Sequence, residues 1–177
     1  MLIAVCMEAL VGIGDASSLL AIRRCFPDLA KLPDFLLASC LKVIAAVGSC
    51  KEFDEVADLL LVRGRHLRPA ILAALAAMRP RCSLPDAPKN LLPTVRAIIE
   101  DGDPPLCRYQ AVKVLGFWAN HPDVYAFMVS SLANPERLVR LGAAESLRVT
   151  AKPGFELVFA ESALNESDDE VLEALKC

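Results

Sequence analysis

The chain has 177 residues, the size of one ordinary domain, and a formal net charge of −3 at pH 7. Apolar residues make up 55% of it and aromatic residues only 6%, so Ala, Leu and Val dominate, a mix that favours packed helices and disfavours a strand-rich fold. The mean hydropathy of +0.42 is high for a free-standing domain and predicts a surface covered by further chain or by a partner.

Simple patterns exclude several kinds of segment and site. No stretch approaches the roughly 20 uninterrupted apolar residues of a membrane span, and the apolar start contains Glu8 and lacks the basic region of a signal peptide, so we expect no span and a cytoplasmic location. None of the seven Cys forms a C-x-x-C pair, and there are only two His, so we expect free thiols and no metal site. Phosphate-binding and hydrolase motifs are missing too, so we expect no cofactor and no catalytic residue.

Apolar residues recur as a stripe at positions i, i+4, i+7, i+8 and i+11, which is one face of a helix. In chain order the stripes are Leu2, Cys6, Ala9, Leu10 and Ile13; Leu36, Cys40, Val43, Ile44 and Val47; Leu67, Ile71, Ala74, Leu75 and Met78; Cys107, Ala111, Val114, Leu115 and Trp118; and Val139, Ala143, Ser146, Leu147 and Thr150. Val171 and Leu175 begin a sixth copy. Most spacings are about 31–34 residues, which is the signature of a repeat protein.

Shorter helical patterns alternate with the stripes and predict a second helix in each repeat. They cover residues 15–26, 52–62, 90–100, 123–132 and 154–164, and Gly or Pro separates most of them from the preceding stripe. One helix pair cannot bury its own apolar face, so neighbouring pairs must stack. We therefore predict an all-α fold, a right-handed α-solenoid (α/α superhelix) of about five helix pairs plus a partial sixth, forming a single domain over residues 1–177.

One spacing is longer, about 40 residues, and points to an insertion. Residues 79–89 contain three Pro and cannot be helical throughout, so we predict a loop on the edge of the solenoid, where insertions often serve binding. The stripes begin at Leu2 and stop after Leu175 without polar capping repeats. We interpret the chain as a fragment of a longer one, with self-association through uncapped ends as a further possibility.

Two stretches share one detailed pattern. The matching residues are Asp103, Pro104, Arg108, Ala111, Leu115 and Gly116 in the first, and Pro135, Val139, Arg140, Ala143, Ala144 and Leu147 in the second. They resemble the HEAT-like repeats first described in phycobilin lyase subunits, whose pattern reads approximately D-P-x-x-V-R-x-x-A-A-x-A-L-G. The resemblance implies an armadillo-type α-solenoid. It also implies a structural column formed by Arg68, Arg108 and Arg140, each bonding a carboxylate or the carbonyl end of a neighbouring helix.

This resemblance leaves function open, because the family ranges from scaffolds to lyase subunits. Our leading hypothesis is a non-catalytic scaffold that binds another protein on a concave face lined by the second helices. Repeat position alone selects Arg24, Asp58, Arg96 and Tyr125 as binding residues. The alternative is a HEAT-like enzyme or enzyme subunit, of the bilin lyase or DNA glycosylase type.

Charge is unevenly spread along the chain. Residues 59–85 contain five Arg and no acid, whereas residues 161–173 contain six acids and no base. We interpret these runs as solvated helix ends, although such asymmetry can also steer a partner. Charges on the second helices alternate in sign and the isoelectric point is about 5.4, which disfavours binding to nucleic acid.

Trp118 and Cys82 are the residues with a chemical alternative to a structural role. Trp118 lies near His121 and could form the aromatic platform of a glycosylase, but it occupies a stripe position, so we predict that it is in the core. Cys82 lies in the 79–89 segment near Arg79 and Arg81, whose charge would favour its thiolate. A reactive thiol there, with His66 as the nearest base in sequence, is a lesser hypothesis.

Overall fold

The structure is a computed structural model that describes residues 16–82, 87–150 and 155–176. Within these ranges no residue lies in a strand, and the all-α prediction is confirmed there. The chain divides into two compact units, Met1–Leu84 and Pro85–Cys177. The division falls inside the segment 79–89 that the sequence marks as an insertion, of which residues 83–86 lie outside the described residues.

The described part of the first unit contains four helices, α1 (Ala16–Cys25), α2 (Asp34–Val47), α3 (Cys50–Val62) and α4 (Arg68–Met78), and three 3-10 turns, Leu29–Lys31, Arg65–Leu67 and Arg79–Arg81. Local sequence sets several of these boundaries. Ser49 and Glu52 form a capping box at the start of α3, in which the Glu52 carboxylate accepts the Ser49 backbone N–H at 2.8 Å. Pro69 follows Arg68 in the first turn of α4, where no backbone N–H is needed.

The second unit contains six described helices, α5 (Leu91–Glu100), α6 (Pro105–Gly116), α7 (Pro122–Ser131), α8 (Arg137–Thr150), α9 (Phe155–Leu164) and α10 (Asp169–Leu175). Both α6 and α7 begin with Pro. Gly102 turns the chain after α5 with a φ of 73°, a conformation that strains residues with a side chain. Asp168 caps α10 by accepting the backbone N–H groups of Glu170 and Val171, each at 3.1 Å.

The predicted boundaries of the second helices agree with the structure within two residues. We use "second helices" for α1, α3, α5, α7 and α9, and "stripe helices" for α2, α4, α6, α8 and α10, which carry the apolar stripes. Among the described residues every stripe side chain is buried except that of Val47, which is half-buried. The first stripe, 2–13, and the side chain of Thr150 lie outside the described residues. The core positions predicted for Cys40, Cys107 and Trp118 are confirmed.

Within each unit the stripe helices pack directly on one another. In the first unit α2 packs on α4, and in the second α8 packs on both α6 and α10. Helices α6 and α8 approach closely, because a Cβ atom added to Gly116 would overlap the side chain of Ser146. The second helices pack chiefly against the stripe helices, so each described helix pair contributes one face to a shared core.

Candidate functional site

Arg140, on α8, lies at the centre of the most extensive polar contact in the second unit. Its Nε and Nη2 atoms donate to the two carboxylate oxygens of Glu166, at 2.6 and 2.9 Å. Its Nη1 atom donates to the carbonyl oxygens of Asn134 and Pro135, at 3.0 and 3.1 Å. The guanidinium therefore joins the turn before α8 to the turn before α10.

Glu166 is held in its ionised form at this site. Its side chain is 5% exposed, and besides the Arg140 bonds it accepts the backbone N–H groups of Ser167 and Asp168, each at 2.9 Å. The bond from Arg140, assisted by these N–H groups, lowers the pKa of Glu166 to about 2, against the opposing effect of burial. This carboxylate is therefore an acceptor at neutral pH and a poor candidate for acid–base chemistry.

Arg108, on α6, makes the corresponding contacts one repeat earlier. Its Nε donates to the carbonyl oxygen of Asp103 at 2.6 Å, and its Nη1 pairs with the carboxylate of Glu136 in the turn before α8. Arg68, the third residue of the predicted column, is the first residue of α4 and is half-buried. Two of the three column arginines thus bond both a carboxylate and a backbone carbonyl close to the start of their own helix.

Arg63 and Arg81 also connect segments that are distant in the chain, and the sequence analysis did not predict these contacts. Arg63, which follows α3, donates to the carbonyl oxygen of Leu29 at 3.2 Å and to that of Leu32, and it pairs with Asp34 at 3.4 Å. Arg81 reaches the carbonyl end of α2, where it bonds Gly48 at 3.4 Å and also Ala45. The acceptors are mainly backbone carbonyls some thirty residues earlier, which any residue type can supply, so sequence carried no signal for these contacts.

The four predicted binding residues all lie on second helices, two in each unit. Arg24, in the last turn of α1, and Asp58, on α3, are exposed. Arg96, on α5, is exposed, and its guanidinium stands 5.5 Å from the ring centre of Phe127 on α7. Tyr125, on α7, is half-buried.

Side chains on neighbouring second helices contact one another within each unit. In the first unit Arg23 on α1 donates to Glu55 on α3 at 2.8 Å, and a second guanidinium nitrogen lies 2.5 Å from the other carboxylate oxygen. In the second unit Arg96 and Phe127 join α5 to α7. A cation on one second helix therefore reaches the next second helix in both units.

Exposed large apolar side chains occur on both kinds of helix. Among the described residues, Leu20, Leu61, Val62, Leu157 and Leu164 lie on second helices; Phe35, Leu106 and Val149 lie on stripe helices, and Phe117 directly follows one. Leu157 and Leu164 on α9 are 78% and 85% exposed, and their spacing of seven residues puts them on one face of the helix. Single exposed apolar residues are ordinary, so the alignment of these two on one helix face is what makes them a candidate contact surface.

A groove of about 610 Å³ runs along the side of α9 that adjoins this leucine face. It is lined by Val129, Leu132, Ala133, Asn134, Arg140, Val158, Glu161, Ser162, Asn165, Glu166 and Ser167. The Arg140–Glu166 pair forms part of its wall. Because these two side chains already bond each other, they shape the groove rather than offer free charges to a ligand. Its apolar residues come from both α7 and α9.

The contacts of His66 and Trp118 do not form a recognisable catalytic or metal-binding arrangement among the described residues. In the ranges that the structure describes, no three His, Cys, Asp or Glu side chains cluster as metal ligands, and no helix is long and apolar enough to cross a membrane. His66 pairs with Asp34 at 2.7 Å on the surface. Trp118 is 3% exposed, so no base can stack on it in this conformation.

The expectation that Cys82 has a favoured thiolate is wrong. Cys82 is 2% exposed, and burial together with a hydrogen bond to Cys50 raises the pKa of its thiol to about 11. Arg79 and Arg81 lower this pKa, but their effect is smaller than that of burial. The sequence argument weighed the neighbouring charges and could not see the desolvation.

Comparison of this chain with protein-family models, with characterised proteins and with solved structures finds no match.

Proposed function

We propose that this chain is a HEAT-like scaffold whose second helices bind another protein. The observation that carries the proposal is the pair of leucines, Leu157 and Leu164, on the outer face of α9. Contact surfaces between proteins combine an apolar centre with a polar rim, and Glu161 lies between the two leucines beside the groove.

The proposed solenoid is supported by contacts that recur from one helix pair to the next. Stripe helices stack on stripe helices within each unit, and the Arg108–Glu136 contact has a counterpart in Arg140–Glu166. Such recurrence is expected when each repeat contacts its sequence neighbours in the same way. It favours the HEAT-like reading of the pattern shared by residues 103–116 and 134–147.

An amphipathic helix with basic flanks is the partner segment that this surface suits best. Helices pack on one another through apolar side chains spaced three, four and seven residues apart, and Leu157 and Leu164 present such a spacing to a partner helix. Glu156 and Glu161 are exposed on the same helix. Complementary charge at the rim would orient the partner and speed association more than it would add affinity.

The test compares apolar residues of similar exposure on two different helices, Leu157 and Leu164 on α9 and Val149 on α8. Leu157→Glu with Leu164→Glu should abolish binding to a captured protein, whereas Val149→Glu, at a stripe-helix residue that is 81% exposed, should leave binding unchanged. Binding that survives the double variant would contradict the assignment of α9.

A second, independent experiment tests the four residues that were selected from their position in the repeat. Alanine at Arg24, Asp58, Arg96 and Tyr125 together should weaken binding while the chain stays folded, as judged by circular dichroism. Unchanged affinity would remove these four from the proposed surface. Transfer of a bilin to an apo-phycobiliprotein, or release of alkylated bases from DNA, would instead support the enzyme alternatives.

A further inference from the structure

Two thiols that are distant in sequence meet in the first unit. Cys50 is the first residue of α3, and Cys82 directly follows the 3-10 turn Arg79–Arg81, which packs on α3. The Cys50 Sγ lies 4.0 Å from the carbonyl oxygen of Arg81, the residue that directly precedes Cys82. Both cysteines are free thiols in this structure.

We propose that Cys50 and Cys82 are a redox-active pair that closes reversibly to a disulfide, a modification site in the first unit. The Cys50 sulfur already lies against the peptide that joins Arg81 to Cys82, so a short side-chain movement can bring the two sulfurs to the roughly 2.05 Å of a sulfur–sulfur bond.

The backbone on both sides of the pair is anchored. The capping box of Ser49 and Glu52 fixes the start of α3, next to Cys50. On the other side, Arg79 donates to the carbonyl oxygen of Cys82, and the Cys82 N–H returns a bond to the carbonyl oxygen of Arg79 at 2.9 Å. The backbone beside each cysteine is therefore fixed by contacts that do not involve the sulfurs.

Accessibility sets the order of the chemistry. Cys50 is half-buried and Cys82 is buried, so an oxidant meets Cys50 first. With a small-molecule disulfide as the oxidant, the Cys50 thiolate attacks one sulfur and expels one thiol, which leaves a mixed disulfide on Cys50. The Cys82 thiolate then attacks the Cys50 sulfur and expels the second thiol. In total the protein loses two electrons and two protons, and the oxidant is reduced to two thiols.

The bond would tie the start of α3 to the start of the segment 79–89. It closes a loop that contains α3, α4 and the turns beside them. Such a crosslink restricts the unfolded chain and raises the melting temperature of the first unit, while reduction restores the present thiol pair.

The experiment treats the whole chain with oxidised glutathione and follows it by intact mass and peptide mapping. The untreated sequence and the control Cys25→Ser, which removes an exposed thiol, should both yield a Cys50–Cys82 peptide. Cys82→Ala should stop at one glutathione on Cys50. The crosslink rate should rise with pH above neutrality, because the attacking Cys82 thiol has a pKa of about 11. The oxidised chain should melt roughly 5–15 °C higher than the reduced one.

Several outcomes would overturn the proposal. Glutathione that stays on Cys50 of the unchanged sequence, or a crosslink from Cys50 that goes mainly to Cys25, would show that Cys82 does not resolve the intermediate. The test does not depend on Cys82→Ala, which fails as a test if that variant does not fold. Absence of the Cys50–Cys82 peptide from both the unchanged sequence and Cys25→Ser would by itself contradict the proposal.

Discussion

Arg140 donates hydrogen bonds of 2.6 and 2.9 Å to the two carboxylate oxygens of Glu166, and so joins the turns that precede two successive stripe helices. Arg108 and Glu136 make the same connection one repeat earlier. In the solenoid that we propose, stability depends on such contacts between neighbouring repeats, because distant parts of the chain do not touch. The pair thus supplies a direct test of how the second unit is held together.

Glu166→Gln should destabilise the second unit by about 2–3 kcal/mol, because it leaves the partly buried Arg140 without its anionic partner. The matched control is Glu173→Gln, whose side chain is 70% exposed and pairs with Lys176; it should change the free energy of unfolding far less, because water screens an exposed pair. Urea unfolding followed by circular dichroism measures both. If both variants lowered the free energy of unfolding equally, the Arg140–Glu166 contact would stabilise the fold no more than an exposed ion pair does.

Acid should remove the same contribution. The fold lowers the pKa of Glu166 from 4.5 to about 2, so its ionised form stabilises the folded state above pH 4.5, and this stability is lost as the pH falls from about 4.5 to 2. The urea midpoint of the unchanged sequence should therefore fall more steeply across this window than that of Glu166→Gln. Parallel pH profiles would contradict the assignment of this titration to Glu166.

Close packing of α6 on α8 makes Gly116 intolerant of a side chain. Gly116→Ala should destabilise the chain by about 1–3 kcal/mol, because the new methyl group overlaps the side chain of Ser146. Gly142→Ala on α8 is the control, since its methyl group would lie 3.3 Å from Tyr109 and needs only a small adjustment. Adding Ser146→Gly should recover part of the loss at Gly116. A harmless Gly116→Ala would contradict this helix approach.

Helix positions could be predicted from the sequence to a large extent. Each stripe is a strict i, i+4, i+7 pattern, and prolines at the starts of α6 and α7 mark where helices begin, so local rules suffice. The core positions of Cys40, Cys107 and Trp118 follow from the same pattern. These features depend on residues close in the chain, which is where sequence reasoning is strongest.

Contacts between distant residues could not be predicted in the same way. Arg63 and Arg81 bond backbone carbonyls, which leave no trace in residue type. Cys82 was assigned by its charged neighbours, but its environment is set by burial and by Cys50. The aligned leucines of α9 are visible as Leu157 and Leu164 in the sequence, yet only the structure distinguishes exposed leucines from the buried ones around them.

The most direct measurement is affinity capture from a lysate of the cells that make this protein, with nuclease added and the bound proteins identified by mass spectrometry. The chain and its Val149→Glu variant should retain one dominant protein that resists salt, and the variant with Leu157→Glu and Leu164→Glu should lose it. Retention of that protein by all three, or recovery of only nucleic acid or a small molecule when nuclease is omitted, would contradict a protein-binding face on the second helices.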